Sequence, residues 1–132
     1  MSCLEALKME INVPEVNAEV CAVFERYEQA ILNNEVEVLD ELFWSNELTV
    51  RYGFAENLYG IDQIREFRIG RSTGLARDLM RTVITSYDQN SATAMTEFQV
   101  ADSDRIGRQS QTWVCRPEGW RVVAAHVSWL PS

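Results

Sequence analysis

The sequence predicts an α+β fold in which N-terminal helices cover one face of a curved antiparallel sheet. Helical periodicity occurs only in the first 71 of the 132 residues, and the later residues alternate between apolar and polar as β-strands do. Helices that precede long strands bury their apolar stripe on one face of the sheet. We therefore expect a twisted sheet that curls around a long helix and encloses a small pocket.

Three helices are predicted. The first covers residues 14–33, begins with a proline and a glutamate suited to a first turn, and repeats apolar residues at spacings of three and four. Those residues are Val16, Val20, Phe24, Tyr27 and Ile31. Residues 35–43 repeat the helical pattern and complete an αα-hairpin. The third helix is expected over residues 62–71, where a Ser-Thr-Gly cluster ends it.

Strands account for most of the remaining chain. A short β-prone run at residues 48–52 is followed by a hairpin-like loop at residues 53–60. Turn-forming segments then separate four longer strands. We expect these at residues 77–87, 91–100, 106–115 and 120–130.

The composition is that of one acidic domain. With 46% hydrophobic residues the chain can build a single core, expected over residues 9–132 with residues 1–8 as an N-terminal extension. The formal net charge of -8 would repel nucleic-acid phosphates and anionic lipid, so neither nucleic acid nor a membrane is an expected partner. Three widely spaced cysteines without a CxxC pair favour a reducing cytoplasm over a disulfide framework.

Motifs for metals and nucleotides are missing from the sequence. The chain has one histidine and no HxH, HExxH or CxxC spacing, which argues against a catalytic zinc site. Neither GxGxxG nor a phosphate-binding loop motif is present. We therefore expect no metal and no cofactor, and any hydrolysis has to proceed without them.

Arg51 and Tyr27 are the first candidates for binding a ligand. Arg51 stands in the run LTVRY, where a guanidinium needs a partner or a route to water. Either it forms an ion pair with an acid such as Glu56 or Glu97, or it holds a substrate carboxylate through two parallel hydrogen bonds. Tyr27, on the inward stripe of the first helix, is either a core residue with a bonded hydroxyl or a pocket group.

Other candidates lie on the third helix and the strands. Arg68 and Arg71 share a helix face, so that one of them can reach the mouth of a pocket. Along one strand the residues of two sets alternate, and one of these sets should face the concavity of the sheet: Gln109, Gln111 and Trp113, or Ser110, Thr112 and Val114. His126 and Ser128 share one side of the last strand with Val122 and Ala124.

Three long segments carry a resemblance to a known family. They read FERYEQAILNNEVEVLDELFW, RYGFAENLYGIDQIREFR and GRQSQTWVCRPEGWRVVAAHVSWLP. The chain resembles the HpxZ-like proteins of oxalurate catabolism, a family that includes the AtzH-like proteins of cyanuric acid breakdown, over nearly all of residues 10–131. The last segment is shared more loosely with SnoaL-like members of the nuclear-transport-factor-2-like superfamily.

The resemblance implies a cone-shaped, cystatin-like fold with an internal pocket, usually a homodimer packed through the outer face of the sheet. AtzH-like members are understood to be amidohydrolases that convert 1,3-dicarboxyurea to allophanate with loss of carbon dioxide. HpxZ-like members are encoded beside genes for oxalurate and ureide hydrolysis. Both contexts imply a small anionic ureido carboxylate as ligand. The family's pocket tyrosine falls on Tyr27 and its pocket arginine on Arg51.

The leading hypothesis is a metal-independent, cofactor-free amidohydrolase of carboxylated ureas. Arg51 would hold a substrate carboxylate, and Tyr27 would donate a hydrogen bond or relay a proton. Candidates for contacts with the rest of the substrate are Arg71, Gln111, His126 and Ser128. The alternative is a non-catalytic binding protein or an accessory subunit of a neighbouring amidase, because the sequence carries no motif for a nucleophile or a metal.

Overall fold

The N-terminal half of the chain forms three helices and one short hairpin. The computed structural model of the protein describes residues 8–70 and 74–131. The helices are α1 (Pro14–Asn33), α2 (Val36–Leu42) and α3 (Ile61–Ile69). Strands β1 (Val50–Tyr52) and β2 (Asn57–Tyr59) form the hairpin between α2 and α3.

Four long strands complete a six-stranded sheet. They are β3 (Arg77–Tyr87), β4 (Ser91–Val100), β5 (Ile106–Arg116) and β6 (Gly119–Trp129). The strand order is β2-β1-β6-β5-β4-β3, and every neighbouring pair is antiparallel except β1 with β6, which is parallel. A parallel pair needs a long connection, which here is the whole chain from β2 to β5. The sheet is therefore mixed at one edge, where the sequence predicts a purely antiparallel one.

The α+β class and the order of elements are confirmed. Helix α1 has the predicted bounds because Pro14 suits a first helical position and Asn34 adopts a left-handed φ of 51° that ends the helix. The predicted loop at residues 53–60 contains β2, which pairs with β1. Residues 1–7 of the predicted extension lie outside the described residues, and so do residues 71–73, where the third helix is predicted to end.

The sheet has two faces, and residues that are directly paired across strands point to the same face. The register therefore shows which residues lie on each face. The inner face, against α1, carries Arg51, Ala94, Thr96, Gln109, Gln111, Trp113 and Ala125. The outer face carries Tyr52, Met95, Glu97, Arg108, Ser110, His126 and Ser128. Register shifts at Leu79/Arg81 and Thr112/Trp113 bend the strands. This bending helps the sheet to curve around the helix.

The core lies between α1 and the inner face. The predicted apolar stripe of α1 is buried through Val16, Val20, Phe24 and Tyr27. It packs in one cluster with Trp113 and other residues of the inner face. Within residues 8–70 and 74–131, no helix combines the length and apolar character needed to cross a bilayer.

Candidate functional site

Tyr27 lies in the contact between α1 and the inner face, where it is only 4% exposed. Its ring is 6.2 Å from that of Phe43 and meets Trp113 edge-on, with 6.4 Å between ring centroids. These distances fall in the range of favourable aromatic pairs. Two aromatic neighbours therefore hold the phenol ring in place.

Arg51 projects from β1 onto the inner face and already holds a carboxylate. Its Nη1 donates a hydrogen bond of 2.9 Å to Glu56 Oε1, and its guanidinium lies 5.3 Å from the centroid of the Phe67 ring. The side chains of Arg51 and Glu56 are 11% and 21% exposed. The predicted ion pair with Glu56 is thus present. A guanidinium has five N–H donors, so this contact leaves others for a ligand.

The turn between β1 and β2 places the Glu56 side chain next to Arg51. Phe54, in the same turn, stacks on Trp129 with 4.3 Å between ring centroids. Glu56 Oε2 also accepts a hydrogen bond from the backbone N–H of Ala55. A Cβ at Gly53 would collide with the Glu56 carboxylate, so this placement requires glycine there.

Arg68 brings a second cation to the same interior. It is 5% exposed, donates through Nη1 to Asp40 Oδ1 at 2.9 Å, and lies 4.2 Å from the centroid of the Phe43 ring. Burial lowers the pKa of Arg68 from its ordinary value; Tyr27 and Asp40 act in the opposite direction, and Arg51 adds to the lowering. Arg51, Arg68 and Tyr27 therefore form one electrostatic cluster, which we call the arginine cluster.

The helix pattern could have identified Arg68. It follows Ile61 and Ile64 at spacings of seven and four, so it belongs to the buried stripe of α3. The sequence leaves open whether Arg68 or Arg71 reaches the interior, and the structure shows Arg68 there. Arg71 lies outside the described residues.

A second buried network, absent from the sequence-based predictions, lies beside Tyr27 on α1. Arg77 donates to both oxygens of Glu28, at 3.2 Å through Nε and 2.6 Å through Nη2, and Nη2 also donates to Gln109 Oε1 at 3.1 Å. The Arg77 guanidinium lies 4.3 Å from the centroid of the Phe98 ring. This bidentate ion pair links α1 to the start of β3.

Gln111 lies on the inner face as well, beside Tyr27's neighbour Trp113. Its Oε1 accepts a hydrogen bond of 3.1 Å from Trp113 Nε1. Its Nε2 has no hydrogen-bond partner among residues 8–70 and 74–131, although the residue is 1% exposed. The same holds for Gln109 Nε2 and Thr96 Oγ1, on residues that are 5% and 3% exposed. Three buried polar atoms are thus unsatisfied on the inner face.

His126 and Ser128 lie on the other side of the sheet. His126 is exposed and packs edge-on against Tyr52, with 5.7 Å between ring centroids, and Ser128 Oγ accepts a 3.4 Å hydrogen bond from Arg108. The structure therefore brings Tyr27, Arg51 and Gln111 together on the inner face and separates His126 and Ser128 from them.

The expectation that His126 shares a side with Val122 is wrong. Residues Thr112 and Trp113 of β5 pair with Ala124 and Val122, so Val123 is an extra residue in β6. An unpaired residue of this kind reverses the alternation of a strand. Val122 is therefore buried in the core, while His126 turns outward.

The comparisons with known proteins agree with this architecture. Residues 9–132 match the family model described as AtzH-like. The chain belongs to the AtzH-like family. A search of the curated proteins found no match.

Solved structures of similar proteins extend the AtzH-like assignment to the fold. A protein of unknown function from Pectobacterium atrosepticum is 57% identical, with 92% of this chain and 95% of that chain covered and a TM-score of 0.90. A cystatin-like fold protein from Burkholderia xenovorans is 42% identical, with 94% and 98% covered and a TM-score of 0.89. A nuclear-transport-factor-2-like superfamily protein from Salmonella enterica is 23% identical, with 89% and 93% covered and a TM-score of 0.74, and shows the fold alone.

Proposed function

We propose that this AtzH-like protein is a metal-independent, cofactor-free amidohydrolase of a small carboxylated urea, converting 1,3-dicarboxyurea to allophanate in cyanuric acid or ureide catabolism. The observation that carries the proposal is that Arg51, in a mostly buried setting, binds the carboxylate of Glu56 at 2.9 Å. A substrate carboxylate presents the same group. The family match supports the substrate class.

The arginine cluster suits a dianionic substrate. Arg51 would hold one carboxylate through two parallel N–H···O bonds, replacing or sharing Glu56. Arg68 is neutralised only in part, because its partner Asp40 is more exposed than Arg68 itself. Its positive charge therefore adds to that of Arg51 in an interior where charges are weakly screened. A planar substrate would be fixed in one orientation.

The reaction breaks the bond between a terminal carboxyl carbon and its nitrogen. Water attacks the carboxyl carbon, the bonding electron pair goes to the nitrogen, and the nitrogen takes up a proton, so that bicarbonate and allophanate leave. The hydroxyl of Tyr27 would donate a hydrogen bond or the proton to the departing nitrogen. Its aromatic neighbours Phe43 and Trp113 would keep bulk water from that proton.

A second candidate function is a non-catalytic binding protein or an accessory subunit of a neighbouring amidase. The observation in its favour is that His126, the one histidine of the sequence, lies on the outer face and away from Tyr27. An accessory subunit would bind the ureido carboxylate without turnover and would co-purify with the amidase. The hydrolase turns over the substrate alone.

A homodimer packed through the outer face is part of the same proposal. Met95 and Val83 on this face are 49% and 43% exposed, which supports burial against a second copy. Sedimentation of the purified protein tests this, and a Met95→Glu variant is expected to be monomeric. A wild-type monomer would contradict it.

The hydrolase is tested with purified protein and freshly generated 1,3-dicarboxyurea, by following loss of substrate and formation of allophanate and bicarbonate. Arg51→Lys should reduce kcat/KM about 100-fold, because a point charge cannot reproduce the planar fork. Arg26→Lys is the matched control, since Arg26 is an exposed arginine of α1 that pairs with Glu41. If Arg51→Lys folds and its turnover is unimpaired, Arg51 does not bind the substrate carboxylate as proposed. If the wild-type protein shows no turnover, the accessory function is favoured.

A further inference from the structure

We infer that the inner face carries a second binding subsite, formed by Thr96, Gln109 and Gln111, that receives acceptor oxygens at the end of the ligand opposite Arg51. The inference rests on the proposed function in taking Arg51 as the anchor of one carboxylate. The starting point is three buried atoms that have no hydrogen-bond partner in the part of the chain that the structure describes: Gln109 Nε2, Gln111 Nε2 and Thr96 Oγ1. More than nine in ten buried polar groups in proteins are hydrogen-bonded, so three neighbouring exceptions need an explanation.

The orientation of both carboxamides is determined by their partners. Trp113 Nε1 can only donate a hydrogen bond, and so can the guanidinium of Arg77. The oxygen of Gln111 must therefore face Trp113, and that of Gln109 must face Arg77. Rotating either amide would bring N–H against N–H. The unsatisfied atoms are thus the two NH₂ groups, which are donors without an acceptor.

The strand register gives the position of these donors relative to Arg51. Arg51 is paired with Ala125, and Ala125 is paired with Gln111, so the two polar residues lie two strands apart on the inner face. Two strand spacings amount to about 10 Å, and the residue of the inner face between them is the small Ala125. Ala94, also a small residue, is the partner of Gln111 on β4. Thr96 and Gln109 are direct partners across β4 and β5.

The chemistry of the subsite defines the part of the ligand that it accepts. The amide NH₂ groups supply only donors, and the nearby Arg77 is already neutralised by Glu28. A carboxylate or ureido carbonyl oxygen satisfies these groups, whereas an ammonium or amine places donor against donor. The ligand class is therefore a small ureido carboxylate whose distal end carries acceptor oxygens. Arg51 binds the carboxylate of the ligand, and the subsite binds the acceptor oxygens at its other end.

Binding of two stable probes tests the subsite. Acetate engages only Arg51, whereas oxalurate carries further carbonyl oxygens beyond its carboxylate. Gln111→Met and Gln109→Met keep the volume and remove the amide, and each should raise the Kd of oxalurate about tenfold and leave that of acetate unchanged. Gln111→Glu keeps an acceptor for Trp113 and replaces the donor by a carboxylate oxygen, so it should weaken oxalurate more than Gln111→Met does.

Two further variants distinguish a loss of binding from a loss of folding. Thr96→Val preserves the shape of a side chain with an unpaired buried hydroxyl, so it should fold and still weaken oxalurate binding. Thr112→Val, on the outer face of the same strand as Gln111, is the control and should bind both probes as the wild type does.

The outcomes separate the subsite from the proposed reaction. Wild-type Kd values for oxalurate in the glutamine and threonine variants, with Arg51→Lys weakened, would overturn the subsite and leave the hydrolase intact. Oxalurate binding that depends on the glutamines, without turnover of 1,3-dicarboxyurea, would establish the subsite and overturn the hydrolase. Wild-type protein that turns over 1,3-dicarboxyurea but does not bind oxalurate would overturn the subsite and leave the hydrolase intact.

Discussion

Arginine side chains on the two faces of the sheet lie in different environments. On the inner face, Arg77 is buried with two hydrogen bonds to Glu28 and one to Gln109. On the outer face, Arg81 is exposed and stands across from Glu97. Both arginines belong to β3 and both have an acid near them. Only the inner one is surrounded by groups that fix its position and exclude water.

The difference between the two arginines follows from burial. Exposed charges are screened and interact weakly with one another, whereas a buried charge depends on each of its partners. The inner face therefore has polar groups whose geometry is determined, including the donors without partners. We expect substitutions on the inner face to change stability or chemistry, and their outer-face counterparts to change little.

The largest effect is expected from Arg77→Met. The substitution leaves the Glu28 carboxylate buried without its partner, which should lower the free energy of unfolding by about 3–5 kcal/mol. Arg81→Met, on the same strand but on the outer face, should change it by less than about 0.5 kcal/mol. Urea denaturation of the two variants measures the difference.

A second substitution identifies the cause of that loss. Combining Glu28→Leu with Arg77→Met removes both charges, and most of the lost stability should return, because no uncompensated charge remains. If the double variant were as unstable as Arg77→Met alone, the packing of Arg77 on Phe98 would be the main contribution rather than the ion pair.

The next largest effect is expected from Tyr27→Phe, this time on turnover. Removal of the hydroxyl should reduce kcat about 100-fold if it acts on the departing nitrogen. Stability should change by no more than about 1 kcal/mol, since the ring contacts with Phe43 and Trp113 are kept. Tyr52→Phe is the outer-face control and should retain full turnover. Unchanged turnover together with a large loss of thermal stability would make Tyr27 a core residue.

A smaller effect is expected from Glu56→Gln. The substitution keeps the size of the side chain but removes the negative charge that competes for Arg51, so oxalurate should bind about three- to tenfold more tightly. Gly53→Ala is a less specific test, because the added Cβ would displace the Glu56 carboxylate and would also lie 3.0 Å from Arg51 Nη1. Glu97→Gln on the outer face should leave binding unchanged in a calorimetric titration.

The opposite result for Glu56→Gln would also be informative. Weaker binding of oxalurate would mean that Glu56 positions Arg51 for the ligand rather than occupying the ligand's place. Restoration of binding by Glu56→Asp would support that positioning role, since the charge would be regained.

Periodicity predicted the fold class and the order of the helices and long strands, but not the parallel pairing of β1 with β6 and only part of the site. The apolar stripe of α1 and the alternation of the long strands are local patterns, and they placed Tyr27 on the inner side and bounded β3 and β4 as the structure has them. The partner of Arg51 was among the alternatives because Glu56 is only five residues away. Local patterns are informative wherever the interacting residues are close in sequence.

Long-range contacts and a single extra residue account for the rest. Glu28 and Gln109 are 49 and 32 residues from Arg77, so no local pattern links them. The extra residue Val123 changes which side of β6 faces inward, and a β-bulge leaves little signal in a run such as WRVVAAHVSW. The tertiary register therefore decides which polar residues share a face.

The smallest effect is expected from His126→Ala, which tests this assignment of faces directly. Because His126 lies on the outer face against Tyr52, the substitution should change the free energy of unfolding by less than about 0.5 kcal/mol and kcat by less than about twofold. Steady-state turnover and urea denaturation of the purified variant provide both values. A tenfold loss of turnover would bring the outer face into the reaction, and the inner face would no longer explain catalysis alone.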